Sequence, residues 1–90
     1  MVPHEVIYKK KIAKVLRGFT ANIQERFYAL VDALEADGPT GGRAFLNYGK
    51  LSNNECQCHL TYHYVACWRH EGNNITIEVY YVGSREGASY

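Results

Sequence analysis

All three cysteines, the only tryptophan and two of the four histidines fall between Asn54 and Trp68. Cys56-x-Cys58-His59, followed by His63 and Cys67, offers the ligand types that zinc takes. A thiol beside an imidazole could also make a nucleophile and base pair. The spacing argues against zinc. Aromatic and β-branched residues favour a pleated, half-buried surface, so this stretch predicts two antiparallel strands meeting near Thr61 and Tyr62. Side chains alternate along a strand, which puts Gln57 and His59 on one side and Cys56, Cys58 and Leu60 on the other. Cys58 and His59 then point to opposite faces, whereas zinc knuckles set paired cysteines around a tight turn. A Cys–His hydrolase would need a third orienting group and an oxyanion loop, and neither is evident. The cysteines read instead as buried free thiols acting as small hydrophobes. One sheet face builds a core; the other, with Gln57 and His59, can hold a site.

The elements that position this pair read as follows. Val2–Tyr8, with Val6, Ile7 and Tyr8 behind Pro3, predicts a first strand. Ile12, Val15, Leu16 and Phe19 then recur at helical spacing, with Lys10, Lys14 and Arg17 on the opposite side. Gly18-Phe19-Thr20 interrupts this short helix. Ile23, Phe27, Leu30, Val31 and Leu34 define a second, longer one, with Arg26, Asp32 and Glu35 toward solvent. Thr20 or Asn22 can cap its start, and Asp37-Gly38-Pro39 ends it. Gly41-Gly42 reads as a loop, Ala44–Leu51 as a strand and Ser52-Asn53-Asn54 as a turn. After the central hairpin, Glu71-Gly72-Asn73-Asn74 is a turn signal. Ile75, Ile77 and Val79 alternate with Thr76, Glu78 and Tyr80 in a half-buried strand that Gly83 closes. The order is strand, two-helix hairpin, then an antiparallel meander of about four strands with the helices on one sheet face. That is an α+β arrangement.

Ninety residues suit one small domain spanning 1–90, with a modest core to which a partner could add. An apolar fraction of 47% with 21% charged residues is globular, not disordered. A formal net charge of +1 gives no global case for nucleic acid, so the case rests on where the charges sit. No apolar run is long enough to span a bilayer. Met-Val-Pro-His-Glu lacks a signal-peptide layout, and an odd number of cysteines suits a reducing cytoplasm.

Over nearly its whole length the chain resembles the RelE/ParE-type toxins of bacterial toxin–antitoxin systems. The resemblance rests on the element order, the Lys-rich first helix and the strand Ala44-Phe-Leu-Asn-Tyr-Gly-Lys-Leu51. It rests also on the hairpin Cys58–Trp68 and the ending Tyr81-Val-Gly-Ser-Arg-Glu-Gly-Ala-Ser-Tyr90. Members of the family commonly close the last strand with Val-Gly, then an Arg, then a Tyr a few residues on. The resemblance implies a sheet with two helices on one face and a cleft on the other. In the RelE branch that cleft cuts messenger RNA in the ribosome, with no metal or cofactor. It implies that Arg85 contacts the scissile phosphate and that Tyr90 stacks on a base or transfers a proton. Gln57 falls, like His59, where RelE-type members often carry basic residues on the strand. Tyr64 falls near a position that is often Arg. These are two departures from the family's basic pattern, for which His59 and His63 can compensate.

Cutting RNA without a metal needs a base for the 2′-OH, cations for the phosphorane and an acid for the leaving 5′-oxygen. Histidine suits the base or acid near pH 7. His59 is the first candidate and His63 the second, with Arg85 as a guanidinium fork for phosphate. Lys50 and the Lys10, Lys14 and Arg17 stripe are candidate phosphate contacts. The leading expectation is a ribosome-dependent mRNA endonuclease held inactive by a cognate antitoxin. The alternative is a non-catalytic protein of the same fold, either a gyrase-directed toxin or a member that only binds its antitoxin.

Overall fold

The computed structural model describes residues 4–70 and 76–88. Its elements are β1 (Glu5–Ile7), α1 (Lys10–Arg17), α2 (Ala21–Asp37), a 3-10 segment (Gly38–Ala44), β2 (Leu46–Ser52), β3 (Glu55–His59), β4 (Tyr64–His70), β5 (Thr76–Ser84) and a 3-10 turn (Arg85–Gly87). The strands form one sheet in the order β1-β5-β4-β3-β2. β2 to β5 are an antiparallel meander, and β1 adds to β5 in parallel, with Val6 opposite Ile77. This is the α+β arrangement anticipated from the sequence. The turn anticipated at Glu71–Asn74 and the start of its strand at Ile75 lie outside the described residues, as does Tyr90.

The core is one layer of helix against one sheet face. Ile23, Phe27, Leu30 and Leu34 bring one face of α2 onto Cys56, Cys58, Leu60, Ala66, Trp68, Ile77, Val79 and Val82. α1 contributes Ile12 and Leu16, and packs against β5. Only that single i, i+4 line of α1 is buried. Val15, expected on its apolar side, is 41% exposed, because eight residues laid along a strand present one narrow stripe. Thr20 caps α2, its hydroxyl accepting from the Ile23 N–H at 3.4 Å. Gln24 ties the helices together by donating to the Leu16 carbonyl at 2.7 Å, one of the orphan carbonyls that end α1. Gly38 has φ +82°, which lets the chain leave α2 where a side chain would be strained.

The segment expected as a loop at Gly41-Gly42 is a 3-10 turn pressed against the sheet. A Cβ on Gly42 would fall 2.4 Å from the Trp68 ring, and the Trp68 indole N–H donates to the Pro39 carbonyl at 3.0 Å. Three register shifts also escape a strict two-residue period. Two lie in β2, one between Leu46 and Gly49, where Asn47 has φ +54°, and one between Lys50 and Ser52; the third lies in β5, opposite Cys67 and Trp68. Gly42→Ala is expected to overpack the Trp68 site and lower stability by about 1–3 kcal/mol. Chemical denaturation would show this as a lower midpoint at unchanged slope.

Candidate functional site

Cys56, Cys58, Leu60, Ala66, Trp68, Ile77, Val79 and Val82 turn toward the helices, so the alternate residues turn away. The registers place Gln57 beside Cys67 and Cys67 beside Tyr81, and His59 beside Val65 and Val65 beside Gly83. This open face is where the sequence reading placed its site.

His59 and Gln57 both follow β3 onto that side, but neither is a free surface group. His59 is only 8% exposed, and its Nδ1 is enclosed with no protein partner. It lies on a cleft of ≈ 520 Å³ between α2 and the β3–β4 bend, with Arg26, Phe45, Leu46, Leu60 and Tyr62 among its walls. Gln57 donates to the Asn47 carbonyl at 2.9 Å, so its amide holds the bulge of β2 against β3.

The end of β5 and the β3–β4 bend meet. The Arg85 backbone N–H donates to the His63 carbonyl at 2.9 Å. The Arg85 guanidinium lies 5.1 Å from the Tyr62 ring centroid, and the Tyr62 and His63 rings meet edge to face at 4.9 Å. Glu86 is 3.7 Å from the Arg85 Nε, an exposed pairing of little energetic weight. Arg85 and His63 are therefore neighbours at one end of the open face. His59 sits two strand spacings, roughly 10 Å, from Gly83 across the sheet. Tyr62 carried no signal beyond being an aromatic in a predicted turn; only the meeting of the two chain segments gives it a cation.

Five other candidate residues are placed apart from this group. Tyr64 turns toward the helices and packs against Phe19, the rings tilted and their centroids 5.2 Å apart. Lys50 opens on a different cleft, of ≈ 470 Å³, with His4, Asp37, Thr40 and Tyr48. Lys10, Lys14 and Arg17 are exposed along α1. Lys9 and Lys11, at the start of α1, line a small cleft with Ile12, Glu78, Arg69 and Tyr80. There Tyr80 donates to Glu55 at 2.8 Å, Arg69 covers the Tyr80 ring at 4.2 Å, and Arg69 Nε is 4.0 Å from Glu78. Burial, then the Glu55 hydrogen bond, push the Tyr80 hydroxyl well above its ordinary range, so it stays a donor.

Among the described residues no helix is long and apolar enough to cross a membrane. No protein-family model matches the sequence, and no curated protein matches it at significant sequence similarity. Solved structures do. The chain is similar to one in the crystal structure of the archaeal RelE–RelB complex from Pyrococcus horikoshii, with a TM-score of 0.75 at 18% identity. That match covers 96% of this chain and 99% of the other. It is also similar to the solution structure of a conserved hypothetical protein from Helicobacter pylori, with a TM-score of 0.57 at 19% identity, covering 92% and 96% of the two chains. The chain therefore has the RelE fold over 96% of its length, and the resemblance read from the sequence holds at the level of the fold.

The three cysteines are free and buried. Cys56 and Cys58 enter the core, while Cys67 lies under the open face against Tyr80. Among the described residues no three of His, Cys, Asp and Glu converge on one point. Burial, reinforced by Cys67, pushes the Cys58 thiol up to about 12; burial, reinforced by Glu55, pushes Cys67 up to about 11. Both stay protonated and unreactive in the native state. The unfolded chain loses these protons near pH 9 while the folded chain keeps them, so stability is expected to hold below that pH and fall from pH 9 toward 12. A thiol reagent at pH 8 is expected to label essentially none of the three until denaturant is added. Rapid native labelling of Cys58 or Cys67 would contradict this assignment.

Proposed function

We propose that this chain is a toxin of the RelE kind: a metal-independent endoribonuclease that cuts messenger RNA at the ribosome and is held inactive by a cognate antitoxin. The observation that carries the reading is Arg85. Its backbone is tied to the β3–β4 bend, and its guanidinium lies at the end of the open face of a RelE fold. A planar, permanently charged fork at that place suits a phosphate whose charge grows in the transition state.

In this reading a base takes the 2′-OH proton, and the 2′-oxygen attacks the adjacent phosphorus. The P–O5′ bond breaks, leaving a 2′,3′-cyclic phosphate. The 5′-oxygen takes a proton from an acid, and Arg85 neutralises the phosphorane. Of the two histidines, His63 is exposed and adjoins Arg85, while His59 is almost wholly enclosed. Accessibility therefore favours His63 for proton transfer, with His59 supporting the bend from beneath. Tyr90 remains the candidate for the second proton or for stacking. Lys9 and Lys11, with the α1 stripe of Lys10, Lys14 and Arg17, would meet phosphates along the message or the ribosome. The RelE–RelB structure supports an antitoxin as partner, its chain covering the helices or the sheet.

One observation favours the second reading, a binding protein of the same fold without cleavage. At the two positions expected to carry basic residues, Gln57 is engaged with Asn47 and Tyr64 faces Phe19, so neither adds charge to the open face.

A defined translation reaction with message cleavage read by primer extension separates the two. Cleavage is expected to require ribosomes and to fall about a hundredfold or more in Arg85→Ala and His63→Ala. Tyr90→Phe tests the proton role, and His59→Ala is expected to fall less than His63→Ala. Intact message with blocked translation would support binding without chemistry. Intact message with normal translation would end the ribonuclease reading.

A further inference from the structure

β5 breaks the alternation that a strand normally keeps. Cys67 pairs with Tyr81 and Trp68 with Val79, so Tyr80 is an extra residue in β5. Such a bulge sets two residues against one on the partner strand. Val79 and Val82, on either side, are both buried in the core. Tyr80 and Tyr81 therefore both face away from it, and the open face gains two consecutive aromatic rings.

The two rings are held differently. Tyr80 is pinned between Glu55 and Arg69. Tyr81 is half-buried, and its hydroxyl donates to the Ser84 carbonyl at 2.7 Å, which lays the ring along β5 toward Arg85. Two glycines make room: a Cβ on Gly83 would fall 2.7 Å from that hydroxyl, and one on Gly87 2.8 Å. The face then runs from the Arg69–Tyr80 pair through Tyr81 to the Arg85–Tyr62 pair. Along β4 the run extends from Arg69 to the register position opposite Ser84, five residues, roughly 17 Å at the strand rise. The acids along the run are engaged, Glu55 by Tyr80 and Glu78 by Arg69, while the exposed Glu86 lies beside Arg85 at its end.

We infer that Tyr81, between the two arginine–tyrosine pairs, is a base-stacking residue for a short single-stranded RNA segment lying beside the phosphate at Arg85. The inference deepens the proposed ribonuclease reading and rests on it for the phosphate's position. Bases have two flat faces and stack on aromatic rings or guanidinium planes, while the backbone needs cations within a nucleotide or two. Rings interleaved with guanidinium groups meet both needs. An amphipathic protein segment would instead use exposed aliphatic side chains, and those lie elsewhere: Ile7 on β1, Val15 on α1 and Leu46 on β2.

The test uses the full chain and pentanucleotide RNAs carrying 2′-O-methyl groups, so that no cleavage occurs, with 2-aminopurine at each position in turn. Anisotropy reads affinity and 2-aminopurine quenching reads stacking. The wild type is expected to quench at one or two positions, and Tyr81→Phe to keep both signals. Tyr81→Leu is expected to weaken binding about tenfold and relieve the quench. Gly83→Ala is expected to do the same with Tyr81 intact, because the new methyl group displaces the ring, and a circular dichroism spectrum matching wild type would show that the fold is kept. RNA bound without a Tyr81-dependent quench would overturn the inference, as would a wild type that binds no RNA. Message cleavage that persists with such a result would leave the ribonuclease reading standing while the platform falls. A Tyr81-dependent quench with no message cleavage would keep the platform and remove the chemistry.

Discussion

Trp68 is the side chain on which the rest of the molecule depends. It is fully buried at the middle of the sheet, and an indole there must find a partner for its N–H. The Pro39 carbonyl supplies it, which fixes the chain just after α2 against β4. That contact brings Gly42 under the indole ring with no space for a side chain, and brings Tyr48 near it at 6.2 Å. The helical layer and the outer strand β2 are thus joined through one residue of the central hairpin. A sheet this small buries little, so one large ring with its polar atom satisfied is a substantial part of its cohesion.

The same arrangement divides the labour between the two sheet faces. Helices cover the side bearing Cys56, Cys58, Ala66, Trp68 and Val79, which takes nearly all the apolar material. Apart from the buried Val65 and Cys67, what remains for the other side is polar or aromatic: Glu55, Gln57, Arg69, Glu78, Tyr80 and Tyr81. Much of it is engaged internally, through the Gln57–Asn47, Tyr80–Glu55 and Arg69–Glu78 contacts. These contacts hold the bulges of β2 and β5 in place. Arg85, His63 and Tyr62 stand beyond them, at the end where the last strand meets the central bend, and there the surface has both charge and access.

A net charge of +1 gives little long-range attraction for a polyanion, so any nucleic-acid role depends on local placement. That placement comes from two segments distant in sequence, α1 with its lysines and the end of β5 with Arg85. Arg69 lies over the Tyr80 ring and Arg85 beside the Tyr62 ring, which orients each guanidinium.

Local pattern determined a good deal. The 3.6-residue spacing of Ile23, Phe27, Leu30 and Leu34, the Thr20 cap, the Gly38 stop and the alternation of Cys56, Cys58 and Leu60 are properties of short stretches, so the α+β order and the buried cysteines were legible in them. The closing Val82-Gly83-Ser84-Arg85, with the order of elements, carried the fold. Other features were not legible, because they depend on partners far along the chain. Val15 continues a helical stripe in sequence, yet it is exposed because one narrow line of α1 meets β5. His59 and His63 look equivalent as letters, but one ends a covered strand and the other tops an open bend. Tyr64 and Lys50 turn away from Arg85 because strand alternation and register, not residue type, decide a side chain's face. The bulge at Tyr80 follows from how β4 and β5 align around Trp68, a constraint that exists only once the sheet has formed.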